Sequence, residues 1–164
     1  MNIPRMSRHL LTTPWRVRRA FPPSALRAIR RAIEEGERAH DAEIRFVVEG
    51  ALHGARLLHG QSARERALEL FSHLRMWDTE HRNGVLIYLL LADHALEIIA
   101  DRGAHVKIGA EPWQEICRHM QAAFSHGEYQ KGAVEGIRAV SRHLGSHYPA
   151  RKKDNELPDG PVVL

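Results

Sequence analysis

The sequence predicts an α/β domain built on a small mixed β-sheet, and two observations carry that reading. Residues 85–91, Val85-Leu86-Ile87-Tyr88-Leu89-Leu90-Leu91, are apolar at every position, the pattern of a strand covered on both faces. A second run at 95–100 follows across Ala92-Asp93-His94, so the two make an antiparallel hairpin. Upstream, Ile44, Phe46, Val47 and Val48 form a short apolar run closed by Gly50, and a helical pattern separates it from residue 85. That strand–helix–strand order implies a parallel pair joined by a crossover.

Residues 1–21 carry Pro4, Pro14 and Trp15 without a sustained period and read as an extended basic arm. From Pro22-Pro23-Ser24 to about His40, Leu26, Ile29 and Ile33 recur at helical spacing behind Pro and Ser start signals. Residues 43–49 are the first strand, and 50–60, with His53, Gly54, His59 and Gly60, read as a loop. Ser62-Ala63-Arg64-Glu65 matches a capping box, and Ala67, Leu70, Phe71 and Leu74 give the helix behind it an apolar face. A polar loop, 77–84, leads into the hairpin. With Asp93-His94 as a two-residue turn, Ala92 faces Ala95, Leu89 faces Ile98 and Leu86 faces Asp101, so the loops at 77–84 and 101–103 meet at one end of the sheet. Glu111-Pro112 opens a helix with Trp113, Ile116, Cys117, Met120 and Phe124 on one face. Tyr129, Ala133, Ile137, Val140 and Leu144 carry the last helix, and residues 149–164 read as a disordered tail. The organisation expected is an arm at 1–21, a domain at 22–148 and the tail.

Composition narrows the function classes. A chain of 164 residues, 43% hydrophobic, suffices for one ordinary core without staples. Its single cysteine excludes an internal disulfide and suits a reducing cytoplasm. The longest apolar run in the first twenty residues is too short for a secretory core, and no run in the sequence reaches the length of a membrane span. The net charge is +4, and residues 1–33 hold eight Arg with no Asp or Glu. Within it, the arm at 1–21 is the expected contact for an anionic membrane surface or an acidic partner. A nucleic-acid role is disfavoured, because only Trp15 and Phe21 interleave with the basic residues.

Nucleotide-binding glycine loops and the Gly-x-Ser-x-Gly elbow are absent. His143 and His147 share a helix face without an intervening catalytic carboxylate, and a helix C-terminus favours histidine through its dipole alone. The remaining candidates gather at the loop end. Asp78, Glu80, Asn83 and Asp101 offer the hard oxygen ligands that Ca²⁺ or Mg²⁺ requires. The competing structural use of Asp78 and Glu80 is pairing with Arg82 and Arg102.

Asn83-Gly84 followed by Val85-Leu86-Ile87-Tyr88-Leu89-Leu90, a short turn, and Leu96-Glu97-Ile98-Ile99-Ala100-Asp101-Arg102-Gly103 resemble the centre of the TPM domain. Phe124-x2-Gly127-Glu128-Tyr129-x2-Gly132 resembles that family's approach to its last helix. The resemblance spans about residues 22–147. It implies a three-layer α/β/α sandwich and a loop cleft that in some members binds divalent cations and is credited with weak acid phosphatase activity. Other members resemble accessory or assembly factors of membrane complexes. Where the family usually carries an acidic residue before Asn-Gly, this chain has Arg82, which sets a fixed positive charge beside the cleft. Two functions follow as expectations. One is a non-catalytic binding or accessory protein acting with a protein partner or membrane-associated complex. The alternative is a weak metal-dependent phosphomonoesterase in which Asp78 and Asp101 hold the cation and Arg82 or Arg102 neutralises charge on the phosphate.

Overall fold

The computed structural model describes residues 3–150 and 158–164. Three helices open it: α1 (Ile3–Leu11), α2 (Pro14–Ala20) and α3 (Pro23–Glu37). Strand β1 (Ile44–Glu49) is followed by α4 (Ala55–Leu58) and α5 (Ala63–His73), then by β2 (Val85–Leu90) and β3 (Ala95–Ala100). Helices α6 (Arg102–Ile108), α7 (Ala110–Ser125) and α8 (Tyr129–His147) precede a short strand, β4 (Val162–Val163). The sheet order is β3-β2-β1-β4; β1 runs parallel to β2 and β4, and β2 is antiparallel to β3.

Strand alternation divides the interior into two cores and so builds three layers. Val85, Ile87 and Leu89 of β2 point to one side, against Ile29 and Ile33 of α3, Ile116 and Met120 of α7, and Ile137 and Val140 of α8. Leu86, Tyr88 and Leu90 point to the other, against Ala67, Leu70 and Phe71 of α5. The capping box holds α5 in place: the Glu65 amide donates to Ser62 Oγ at 3.2 Å and the Ser62 amide donates to Glu65 Oε2 at 2.7 Å.

Five details of the sequence reading are corrected. Residues 3–20 are two helices rather than an extended arm. Pro14 occupies the first turn of α2, where the missing N–H is harmless. Val17 and Phe21 then enter the main core at 5% and 2% exposure, so the end of the expected arm belongs to the domain. Burial of such side chains is worth roughly 1.5–3 kcal/mol each, which offsets the cost of ordering so short a segment. The 50–60 loop contains one helical turn, α4, and Asp101 starts a helix, α6, rather than a loop. The hairpin turn is longer than two residues: Leu91–Asp93 form a 3₁₀ turn and His94 is left-handed, at φ 51°. Leu90 therefore faces Ala95, Leu89 faces Leu96 and Leu86 faces Ile99. The shift is two residues, so every side chain keeps its expected face.

The end of the expected tail joins the sheet. Residues 151–157 lie outside the described residues, but β4 adds a parallel edge to β1, pairing Val47 with Val162 and Val48 with Val163. Arg45 Nη1 donates to the Pro158 carbonyl at 2.5 Å and faces that of Gly160 at 3.5 Å. Beside it, Glu37 accepts the Ile44 amide at 2.9 Å. Burial, and secondarily the neighbouring Glu43 and Asp159 carboxylates, push the Glu37 carboxyl up to about 9. A carboxyl raised above its unfolded value of 4.5 stabilises the fold most at low pH, and that contribution falls as pH rises towards 9. Glu37→Gln keeps the shape and the acceptor but stays neutral. It is expected to be more stable than the parent at pH 8 by at least about 2 kcal/mol and indistinguishable from it at pH 4. Urea denaturation at both values checks this; an equal difference at the two would refute it.

Candidate functional site

The 77–84 loop and the start of α6 meet at one end of the sheet, and glycine makes the meeting close. A Cβ on Gly103 would lie 2.5 Å from the His81 carbonyl oxygen and 2.6 Å from that of Arg82. The Asp101 amide donates to Gly84 O at 2.9 Å and the Ala104 amide to Arg82 O at 3.3 Å. Arg82 itself is left-handed, at φ 49°, with its side chain exposed. Its guanidinium is therefore a solvated charge at the rim.

The predicted ligand residues separate. Asp78 and Glu80 are exposed, as is Arg102. Asp101 caps α6, accepting the Arg102 amide at 2.7 Å. Asn83 is fully buried and donates from Nδ2 to the Asp41 carbonyl at 2.5 Å, while its amide is bound by Thr79 Oγ1. Among the described residues, no three His, Cys, Asp or Glu are grouped to hold a metal ion. Hard cations need several convergent oxygens, so the set Asp78, Glu80 and Asp101 does not fit a shared Ca²⁺ or Mg²⁺.

What the loop end does assemble is a different polar group. Asp41 receives His81, with Nε2 to Oδ2 at 3.3 Å. The Asp41 amide donates to the Tyr148 carbonyl at 2.9 Å, which ties the end of α8 to the start of β1. Among the described residues, Asn83 Oδ1, Asp101 Oδ2 and Tyr148 Oη are buried here without a hydrogen-bond partner. Burial, and then the Asp101 charge, push the Tyr148 phenol up, so it is a donor at neutral pH. Lys107 Nζ stands 4.2 Å from the centre of its ring. Asp41 escaped the sequence reading because forty positions separate it from His81 and no local pattern links them.

At the opposite end, by the hairpin turn, the N-terminal helices are clamped on. Arg5 pairs with Asp93 at 2.8 Å. His9, fully buried, accepts the Leu52 amide at Nδ1 (2.9 Å), so its proton sits on Nε2 and is donated to Asp93 Oδ1 at 3.0 Å. Burial opposes the Asp93 charge, yet the hydrogen bonds from Arg5 and His9 hold that carboxyl below its usual range. Between these helices and the start of α8 lies a cleft of about 920 Å³, lined by Arg8, Trp15, Arg16, Arg19, His94 and Lys131 among others. Glu128, also in the lining, is taken up by Lys131 at 3.2 Å. Among the described residues no carboxylate pairs with Arg16 or Arg19, and the Arg19 guanidinium lies 5.4 Å from the Trp15 ring centre.

Cys117 is half-buried and free, and burial pushes its thiol up to about 11, so it stays protonated at neutral pH. Among the described residues no helix is long and apolar enough to cross a membrane.

Comparison with known proteins agrees with this architecture. The model of the TPM domain matches residues 18–143. No curated protein matches the chain. Among solved structures, the NMR structure of the BA42 protein from the psychrophilic bacterium Bizionia argentinensis is similar, with 27% identity and a TM-score of 0.74 over 85% of this chain and 92% of that one. The chain belongs to the TPM domain family.

Proposed function

We propose that this TPM-domain protein is a non-catalytic binding or accessory protein that engages an acidic partner, a protein or a membrane-associated complex, through the face made by α1, α2 and the start of α8. The observation that supports this is the cleft whose Arg16 and Arg19 meet no carboxylate among the described residues while Trp15 stays exposed beside them. Unpaired guanidinium groups are matched to carboxylate or phosphate oxygens, which they bind through two parallel hydrogen bonds. A single protonated thiol suits a reducing compartment such as the cytoplasm.

Crosslinking and co-purification of the full chain from its host lysate test the reading, with Arg16→Glu/Arg19→Glu as the comparison. A partner recovered at low salt and lost both in the variant and at high salt is the expected result. The alternative, a metal-dependent phosphomonoesterase at the loop end, is read from the same preparation. Aryl phosphate hydrolysis that requires Mg²⁺ or Ca²⁺ and disappears in Asp101→Asn would displace the binding proposal.

A further inference from the structure

We propose that the partner of this face is the surface of an anionic phospholipid bilayer, on which α1 and α2 lie with Leu10, Leu11 and Trp15 turned into the headgroup region. This rests on the preceding reading of the N-terminal face as the binding surface, and adds what the surface is.

Helix geometry orients the residues. In α1, His9 and Arg5, four positions apart, both reach Asp93 on the body of the domain. At 100° per residue, Leu10 and Leu11 then lie about 100° and 200° around the helix from His9, away from the body. They are 73% and 70% exposed. In α2, Val17 is the residue that enters the core, which places Trp15 and Arg19 about 200° from it on the outward side. Trp15 is 64% exposed, and its contact with Arg19 is the expected one for an i, i+4 pair. Two consecutive helices thus present their apolar residues outward, where a soluble domain gains nothing from them.

Cations border these residues. Arg16 and Arg19 line the cleft with Trp15, Leu11 lies about 60° around α1 from Arg8, and the whole segment up to residue 33 carries no acidic side chain. Acidic groups alone would pair with the guanidinium groups and leave the leucines and the indole in water. A bilayer supplies both phases in the right order of depth, phosphate for the arginines and acyl chains for the leucines and the indole. Each basic residue near such a surface adds to the attraction, and so does the apolar area that Leu10, Leu11 and Trp15 bury in it.

The test sediments the full chain with phosphatidylcholine vesicles and with vesicles containing phosphatidylserine, at low and high salt. At least tenfold stronger association with the anionic vesicles is expected, falling with salt. In a Trp77→Phe background, which leaves Trp15 as the exposed indole, emission is expected to move to the blue on binding. Arg16→Glu/Arg19→Glu and Leu10→Ser/Leu11→Ser should each reduce association at least tenfold with unchanged circular dichroism, whereas Leu58→Ser, which removes an equally exposed leucine from α4, should not. Equal or no association with the two vesicle types, or indifference to the Leu10/Leu11 change, overturns the lipid assignment. So does full displacement by millimolar inorganic phosphate at matched ionic strength, which would identify the free anion as the ligand. If vesicles are ignored while Arg16→Glu/Arg19→Glu still abolishes a crosslinked protein, the lipid inference fails and the binding-surface reading stands; if neither occurs, both fail.

Discussion

Gly84→Ala is expected to leave little folded protein. A Cβ at this position would lie 2.0 Å from the Met76 carbonyl oxygen and 3.1 Å from its carbonyl carbon, both backbone atoms. Neither can step aside cheaply. The Met76 amide is bonded to Phe71 O at 3.0 Å, and its side chain is fully buried under the sheet. On the other side, Gly84 O accepts the Asp101 amide, so a shift of β2 would break the junction of the two polar loops as well. Relief requires moving the end of α5 or the start of a central strand, and overpacking of that kind, here against backbone, reaches about 4 kcal/mol or more. Gly145→Ala is the matched control. Its Cβ would meet only Ala39 O, at 3.8 Å, and helix propensity favours the substitution by roughly 0.5–1 kcal/mol. Urea denaturation of both variants decides the matter; a Gly84→Ala protein within about 1 kcal/mol of the parent would mean that the loop end is not fixed by this contact.

The same glycine marks the border between what the sequence makes legible and what it does not. Asn83-Gly84 and the apolar run behind it identify the strand, the hairpin and the family, because period and punctuation are local properties of the chain. The parallel pairing of β1 with β2 was legible for a similar reason, since an uninterrupted apolar strand needs cover on both faces. The N-terminal helices were hidden. Pro4 and Pro14 read as breakers, whereas each stands in the first turn of a short helix. What makes those helices stable is tertiary, namely the His9–Asp93 bond across 84 positions and the burial of Val17 and Phe21. Val162-Val163 is too short to announce a strand; only the open edge of β1 makes it one. At the candidate site, which loop side chains are buried is not legible from the sequence. Asp78 and Glu80 sit on the outside of a loop whose inner positions are taken by Thr79 and Asn83, and composition cannot say which side chains of a loop turn inward.

Removing Arg66 should cost nearly as much as adding the methyl group at Gly84, and for an electrostatic reason. Glu49, at the end of β1, and Arg66, on α5, are both almost entirely buried in the smaller core. Arg66 donates to Glu49 from Nε at 2.8 Å and from Nη2 at 3.3 Å, Tyr88 Oη donates to the same carboxylate at 2.8 Å, and Arg66 Nη1 reaches Glu69 at 3.1 Å. Arg66→Met therefore leaves Glu49 in an apolar layer with one neutral donor, a loss of about 3–5 kcal/mol for a buried pair broken from one side. A lone buried carboxylate is favoured in its protonated form, so its folded value rises above the unfolded one. The deficit of Arg66→Met should accordingly be largest at pH 8 and shrink as pH falls towards 4. The double variant Glu49→Leu/Arg66→Met removes both charges and should recover most of the loss, leaving only the Tyr88 hydroxyl without its acceptor. A deficit equal at pH 4 and 8, unrelieved by Glu49→Leu, would mean that Arg66 acts by packing its stem on the sheet. The expected outcome has the ion pair holding α5 in register on β1 and β2, and with it the Met76–Gly84 contact that closes the loop end.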